Sequence, residues 1–390
     1  LTGCKGFWDK PSSSGGGGGG STTLTSGFFY VLNTAKNELV GLYVNKGVTS
    51  VIPNCTSNCT FSLGATPLAI AVSPNNSFLY VSTLGGIFVY SINASTGQLT
   101  VANNGHVISG DFATSMQVDA TNSWLVEGLP GAGKLFAVPL VPSTGLPPAG
   151  SDEAPVTLPS TGFQQVAISP DNTRVLVAMG SGGTATMSFT SGNANPFGAV
   201  GTFPTVSTAG GALSVAFDPI VSPATTPRLF YIGETVAVQA SATNSNTGGL
   251  RAFNFSTGKE ITGSPFAISG NAPVSILPIS TGSFVYVLNK YTSSGTGVAS
   301  VIAGFSVSDT NNTPALTALG STFATGISPE AMVEDSSGQF VFAVNFQGSP
   351  DLIGYTFNAT TAGNLDKVIS SATGTEPAQA LAIAALHPTK

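Results

Sequence analysis

Charge is what this sequence has least of. Twelve Lys and Arg with eighteen Asp and Glu make up 8% of 390 residues, against roughly a quarter in an average soluble domain. The net charge of −6 and the lack of any basic cluster exclude a nucleic-acid partner. Cys55 and Cys59 have no His or Cys partners beside them to complete a tetrahedral zinc set, so no metal and no cofactor are expected. No apolar run approaches the roughly 18 residues of a spanning helix, so no transmembrane segment is expected. With so few charges, the surface must be covered by Ser, Thr, Asn, Gly and Gln. Such a surface suits a protein outside the cell or packed among copies of itself, because few charges need desolvation on association.

What the sequence has in abundance is one repeated phrase. Pro67-Leu-Ala-Ile-Ala-Val-Ser-Pro-Asn-Asn-Ser-Phe-Leu-Tyr-Val81 reads as strand, turn, strand: Ile70 and Val72 alternate with small residues, and Phe78 to Val81 is too short an apolar run for a helix. Variants aligned on the turn position of Pro74 recur at Ala120, Pro170, Pro219, Ser280, Ser336 and Pro388, at intervals of 46 to 61 residues. A period near that of a four-stranded blade, met seven times, predicts an all-β, seven-bladed β-propeller. The long chain is then a single closed unit rather than two or three domains.

The last copy stops halfway. Pro377 to Lys390 supplies a first strand and turn, and its continuation is found at the other end, in Gly27-Phe-Phe-Tyr-Val-Leu-Asn33. The C-terminal strand is therefore expected to close the ring by joining the N-terminal blade, which removes two sheet edges. The organisation that follows is an arm over residues 1–24 and a propeller over 25–390. Polar insertions from Val236 to Gly249 and from Lys290 to Gly297 are candidate contact surfaces on one face.

Leu1-Thr-Gly-Cys4 resembles a bacterial lipobox, and a Ser/Gly-rich tether follows it up to Ser21. Two uses of this arm are open: a lipid anchor or intermolecular contact at Cys4, or an assembly arm in which Phe7, Trp8 and Leu24 engage a neighbouring copy. Cys55 and Cys59 are spaced for a small loop disulfide, with three reduced thiols as the other reading. A disulfide would place the protein in an oxidising compartment, at the bacterial cell surface (outer-membrane-associated) or secreted.

The repeated Pro-x-x-Ile-Ala-Val-Ser-Pro-Asn-x-x-Phe-Leu-Tyr-Val unit, with Ser-Thr-Gly turns such as Ser95-Thr-Gly97 and Ser256-Thr-Gly258, resembles the seven-bladed lactonase-type propellers, which include 6-phosphogluconolactonase-like and YncE-like proteins. The resemblance covers about residues 25 to 390 and implies the fold. It also implies a choice between sugar-lactone hydrolysis and a non-catalytic role at the cell surface.

Candidate chemistry is sparse. Gly128-Leu-Pro-Gly-Ala-Gly-Lys134 fits the start of a phosphate-binding loop, but Leu135 stands where Ser or Thr should hold magnesium, and a strand follows, so the glycines read as a hairpin turn. His387 occupies the closing turn and reads as structural. Lactone hydrolysis needs a base and donors for an oxyanion; the inter-blade connections offer His106, Asp111 and Glu330 as catalytic candidates, with Lys134 and Lys290 nearby on inner loops. This poverty favours a non-enzymatic structural or interaction module that self-associates through its arm into a homo-oligomer or filament. A lactonase-like hydrolase using the central funnel is the alternative, and a carbohydrate or cell-wall binding module the second.

Overall fold

The turn of the repeated phrase shows why its residues recur. In the computed structural model, which describes residues 25–53, 59–206, 210–236, 248–290, 300–310, 313–347, 350–371 and 379–388, Ser73 Oγ accepts hydrogen bonds from the backbone N–H of Ser77 and Phe78, at 3.2 and 2.9 Å. Ser169 does the same for Thr173 and Arg174, and Asp119 Oδ1 for Ser123 and Trp124. A short polar side chain thus satisfies the turn amides. The third turn residue lies in the left-handed region, with φ of 57°, 59° and 56° at Asn76, Asn122 and Asn172, the conformation Asn tolerates best after Gly. Neighbouring turns are also linked: Asn122 Oδ1 accepts from Asn75 N and Asn172 Oδ1 from Ala120 N.

These turns join the two inner strands of each blade. Seven antiparallel sheets follow one another along the chain, as the repeat predicts. Blade two runs from Pro67–Val72 through Phe78–Thr83 and Gly86–Ile92 to Leu99–Val101, and blades three, four, six and seven repeat this order from the inside outward. In blade five three paired strands are described, Ala212–Phe217, Leu229–Glu234 and Gly249–Asn254, with isolated bridges at Glu260 and Phe266 beyond them. Blade one takes its innermost strand, Ala380–Ala385, from the other end of the chain. Phe29 pairs with Ala385 and Leu32 with Ala382, so the ring closes as the interrupted last copy implies. No helix among the described residues is long and apolar enough to cross a membrane.

The core is divided among the blade interfaces. Each of the buried clusters lies between two neighbours: Phe29, Val31, Phe340 and Phe342 between blades seven and one, for example, and Tyr80, Val89, Met116 and Leu125 between two and three. Along a second strand, alternate side chains therefore face opposite neighbours, and both faces are apolar. The glycine-ended turns, Ser-Thr-Gly at Gly97 and Gly145 and Thr-Thr-Ala-Gly at Gly363, fasten these interfaces. Tyr30 Oη donates to Gly97 O of the next blade at 2.7 Å, Tyr80 Oη to Gly145 O at 2.9 Å, and Tyr286 Oη to Gly363 O at 2.7 Å.

The arm over residues 1–24, with Cys4, Phe7, Trp8 and Leu24, lies outside the described residues, as do Cys55 and most of both polar insertions.

Candidate functional site

Seven innermost strands leave an axial channel, and its chemistry follows from which of their residues point inward. Two cavities of about 510 and 870 Å³ occupy it and share Gln117 and Gln165 in their walls. The carbonyl oxygens of these glutamines accept from Ile168 N and Val215 N of the following blade, both at 2.9 Å. That leaves each side-chain amide nitrogen without a partner among the described residues, as a donor at the channel wall. Ser115 Oγ accepts from Val166 N in the same fashion, so the inner strands are stitched blade to blade.

In the smaller cavity the titratable lining residues are Glu330 and His387. Glu330, half-buried on the innermost strand of blade seven, Ile327–Glu334, holds Lys290 Nζ at 2.6 Å. Lys290 is the last residue of Phe284–Lys290 in blade six. The pair thus spans two blades, with the carboxylate at the channel and the ammonium in contact with it. His387 is in the closing turn. Its Nε2 is 3.3 Å from Val72 O, and its backbone exchanges hydrogen bonds with Asn76, which fits the structural part the sequence assigns to it.

The structure does not bring the sequence-derived candidates His106, Asp111 and Glu330 into one constellation. His106 is exposed beside a short 3₁₀ turn at Asn103–Gly105. The Asp111 carboxylate instead lies with those of Glu127 and Glu153, one oxygen from each within 4.8 Å of the others. Glu127 is fully buried. Burial pushes its pKa up to about 9, helped by the charges of Glu153 and Asp111 and opposed by a hydrogen bond from Ser109. Sequence reasoning passed over Glu127 and Glu153. The signal for Glu127 was present in the repeat: aligned by pairing with the first strand of each blade, its equivalents are Val31, Val81, Val177, Ile232, Val287 and Ala343, all buried and apolar.

Other buried charges are structural. Arg251 joins Glu234 and Glu260, at 2.7 and 2.9 Å, and carries Pro204 O as well. Asp218 pairs with Arg228 at 2.7 Å; burial raises its pKa to about 6 against the pull of that guanidinium. Gly128 to Lys134 forms the connection between second and third strands of blade three, with Gly128 opposite Leu135, so the glycines serve a hairpin. Cys59 is buried and disulfide-bonded.

The comparisons bear on what this channel is for. The family described as Lactonase, 7-bladed beta-propeller, matches residues 54–381. Among solved structures, a proposed 6-phosphogluconolactonase from Bacteroides fragilis superposes with a TM-score of 0.65 at 16% identity, over 89% of this chain and 96% of that one. The periplasmic gluconolactonase PpgL of Pseudomonas aeruginosa gives 0.63 at 14%, over 93% and 99%. Among the curated proteins no relative matches the sequence. The family match corrects the expectation of a non-enzymatic, self-assembling or filament-forming module, and supports the hydrolase alternative better. That expectation took the low charge of the chain as a sign of packing among copies. A propeller needs few charges at its blade interfaces, and a channel needs few for its chemistry. With the match spanning most of its length, this chain belongs to the seven-bladed β-propeller lactonase family.

Proposed function

We propose that the protein hydrolyses a sugar lactone at the Glu330 end of the axial channel. The observation that carries this reading is a carboxylate on the channel wall, Glu330, in contact with the ammonium of Lys290 behind it, in a lactonase-family chain. Glu330 acts as general base: it takes a proton from water as the water oxygen bonds to the lactone carbonyl. Lys290, beside it, stabilises the oxyanion of the tetrahedral intermediate. The ring C–O bond then breaks, and the departing ring oxygen takes the proton back from Glu330, leaving an open-chain sugar acid. The amide donors of Gln117 and Gln165 and the hydroxyls of Thr114 and Ser275 suit the hydroxyl groups of a polyol.

The lining of that cavity contains no Lys or Arg among the described residues, and Lys290 is already paired with Glu330. An unphosphorylated lactone is therefore favoured over a phosphorylated one. The test is hydrolysis of glucono-1,5-lactone and its 6-phosphate, followed with a pH indicator and corrected for spontaneous opening. The unphosphorylated substrate is expected to show the higher kcat/KM, and Glu330→Gln to lower it about 10²- to 10⁴-fold, the span of a general base. Rates equal to the spontaneous one, or an unimpaired Glu330→Gln enzyme, would refute the proposal.

A further inference from the structure

We propose that Asp111, Glu127 and Glu153 form a binding site for a divalent cation of the calcium class, one that ties blade two to blade three. Glu127 lies on the second strand of blade three, Trp124–Gly128, and faces blade two; Glu153 immediately precedes the outer strand of the same blade, Ala154–Thr157. Asp111 comes from the connection between the two blades, two residues after Ser109, which bridges to Ile87 of blade two. One oxygen from each carboxylate lies within 4.8 Å of the other two. Two oxygens bound at about 2.4 Å to one ion can be at most about 4.8 Å apart, and each pair in the set stays within that limit. An all-oxygen, triply acidic set selects a hard cation over zinc or copper.

A cluster of acids alone would say little. The independent observation is that Glu127 is fully buried and its Oε2 has no hydrogen-bond partner. Its Oε1 receives a long bond of 3.4 Å from Ser109 Oγ. A buried carboxyl oxygen left unsatisfied is costly, and the six equivalent positions of the other blades avoid that cost with Val, Ile or Ala. A cation satisfies the orphaned oxygen and neutralises the mutual repulsion of the three acids. Asp111 and Glu153 are only partly buried, which gives the ion a path in from solvent.

The test uses the whole protein after EDTA treatment and dialysis, with calcium chloride as the probe. Thermal melts and titration calorimetry are run on wild type, Asp111→Asn and Glu127→Val. Calcium is expected to raise the melting temperature of wild type, to bind Asp111→Asn at least tenfold more weakly, and to leave Glu127→Val unmoved. Metal-free Glu127→Val should itself melt above metal-free wild type, because it restores the apolar residue of the other blades. Absence of calcium binding by wild type at millimolar concentration overturns the proposal. Equal binding by wild type and either variant also overturns it. Should Glu127→Val fail to fold, Asp111→Asn, at a partly exposed loop position, decides alone.

Discussion

Replacing Gly145 by alanine tests whether the Ser-Thr-Gly turns clamp neighbouring blades together or merely reverse the chain. A Cβ built on Gly145 falls 2.5 Å from Cγ of Phe78 and 2.6 Å from its Cδ1. Phe78 belongs to blade two and is only 8% exposed, so it has little room to retreat. The substitution also puts an L side chain at φ of +67°, a strain of about 1–2 kcal/mol. Gly150, five residues on in the same blade, provides the control: its φ is +74°, and an added Cβ there meets nothing within 4 Å. Gly150→Ala should therefore cost the strain alone. Gly145→Ala should cost about 1–3 kcal/mol more, the usual range for overpacking a filled site. Melting entropy of roughly 2.1 cal/mol/K per residue, applied to 390 residues, converts this excess to about 1–4 °C. Paired melts of the two variants, or their urea midpoints, measure it. Equal losses would show that the turn does not press on Phe78, and the clamp reading would fail.

Tyr80→Phe leaves the buried Gly145 carbonyl without the donor it has at 2.9 Å, and should lower stability by about 1–2 kcal/mol in urea titration; Tyr286→Phe should do the same to Gly363. A second expectation concerns pH. The folded pKa of Glu127 stands near 9, above its ordinary value of 4.5, so between these limits the native state holds a proton that the unfolded chain has released. Its contribution is fully present below about pH 4.5 and is lost as pH rises toward 9. At about 1.36 kcal/mol per pKa unit, the loss is of the order of 5 kcal/mol. Other groups titrate in the same window, Asp218 among them, so the quantity to measure is the difference between metal-free wild type and Glu127→Val at pH 5 and pH 8.5. Parallel stability curves for the two proteins would count against a buried, protonated Glu127.

The repeat made the ring legible because each of its residues answers a local demand that recurs in every blade. Ser73, Asp119 and Ser169 cap the same turn, and Asn76, Asn122 and Asn172 take the same left-handed position. Closure was legible for a related reason. An innermost strand that ends the chain has to find Phe29 to Asn33, the one second strand without a first strand before it. Site chemistry has no such redundancy. Glu330 could be named as a candidate although the sequence reading put it in an inter-blade connection and it lies on the innermost strand of blade seven; its contact with Lys290, 40 residues away on another blade, follows only from the ring. Asp111 could be named too, yet with the wrong companion, because His106 is near in sequence while Glu127 and Glu153 are near in space.

The same redundancy that hides a site can also expose one, if the copies are read against each other rather than pooled. Pooling the seven second strands yields an apolar consensus and treats Trp124-Leu-Val-Glu-Gly128 as a poor copy of Phe78-Leu-Tyr-Val-Ser82. Read singly, the position of Glu127 and its equivalents faces the preceding blade in every sheet and is fully buried in each. A carboxyl there forgoes the packing its equivalents make and adds the cost of desolvation. Such a departure marks function or strain in an otherwise consistent sequence. Loop acids such as Asp111 carry no comparable penalty, and so no comparable signal. The rule that follows for a propeller is that the informative residues are polar ones on the second strand, where the blade interfaces leave them no solvent. By that rule Glu127 stands out before Glu330, and the cation site is open to test by melts and calorimetry whether or not a lactone is ever turned over.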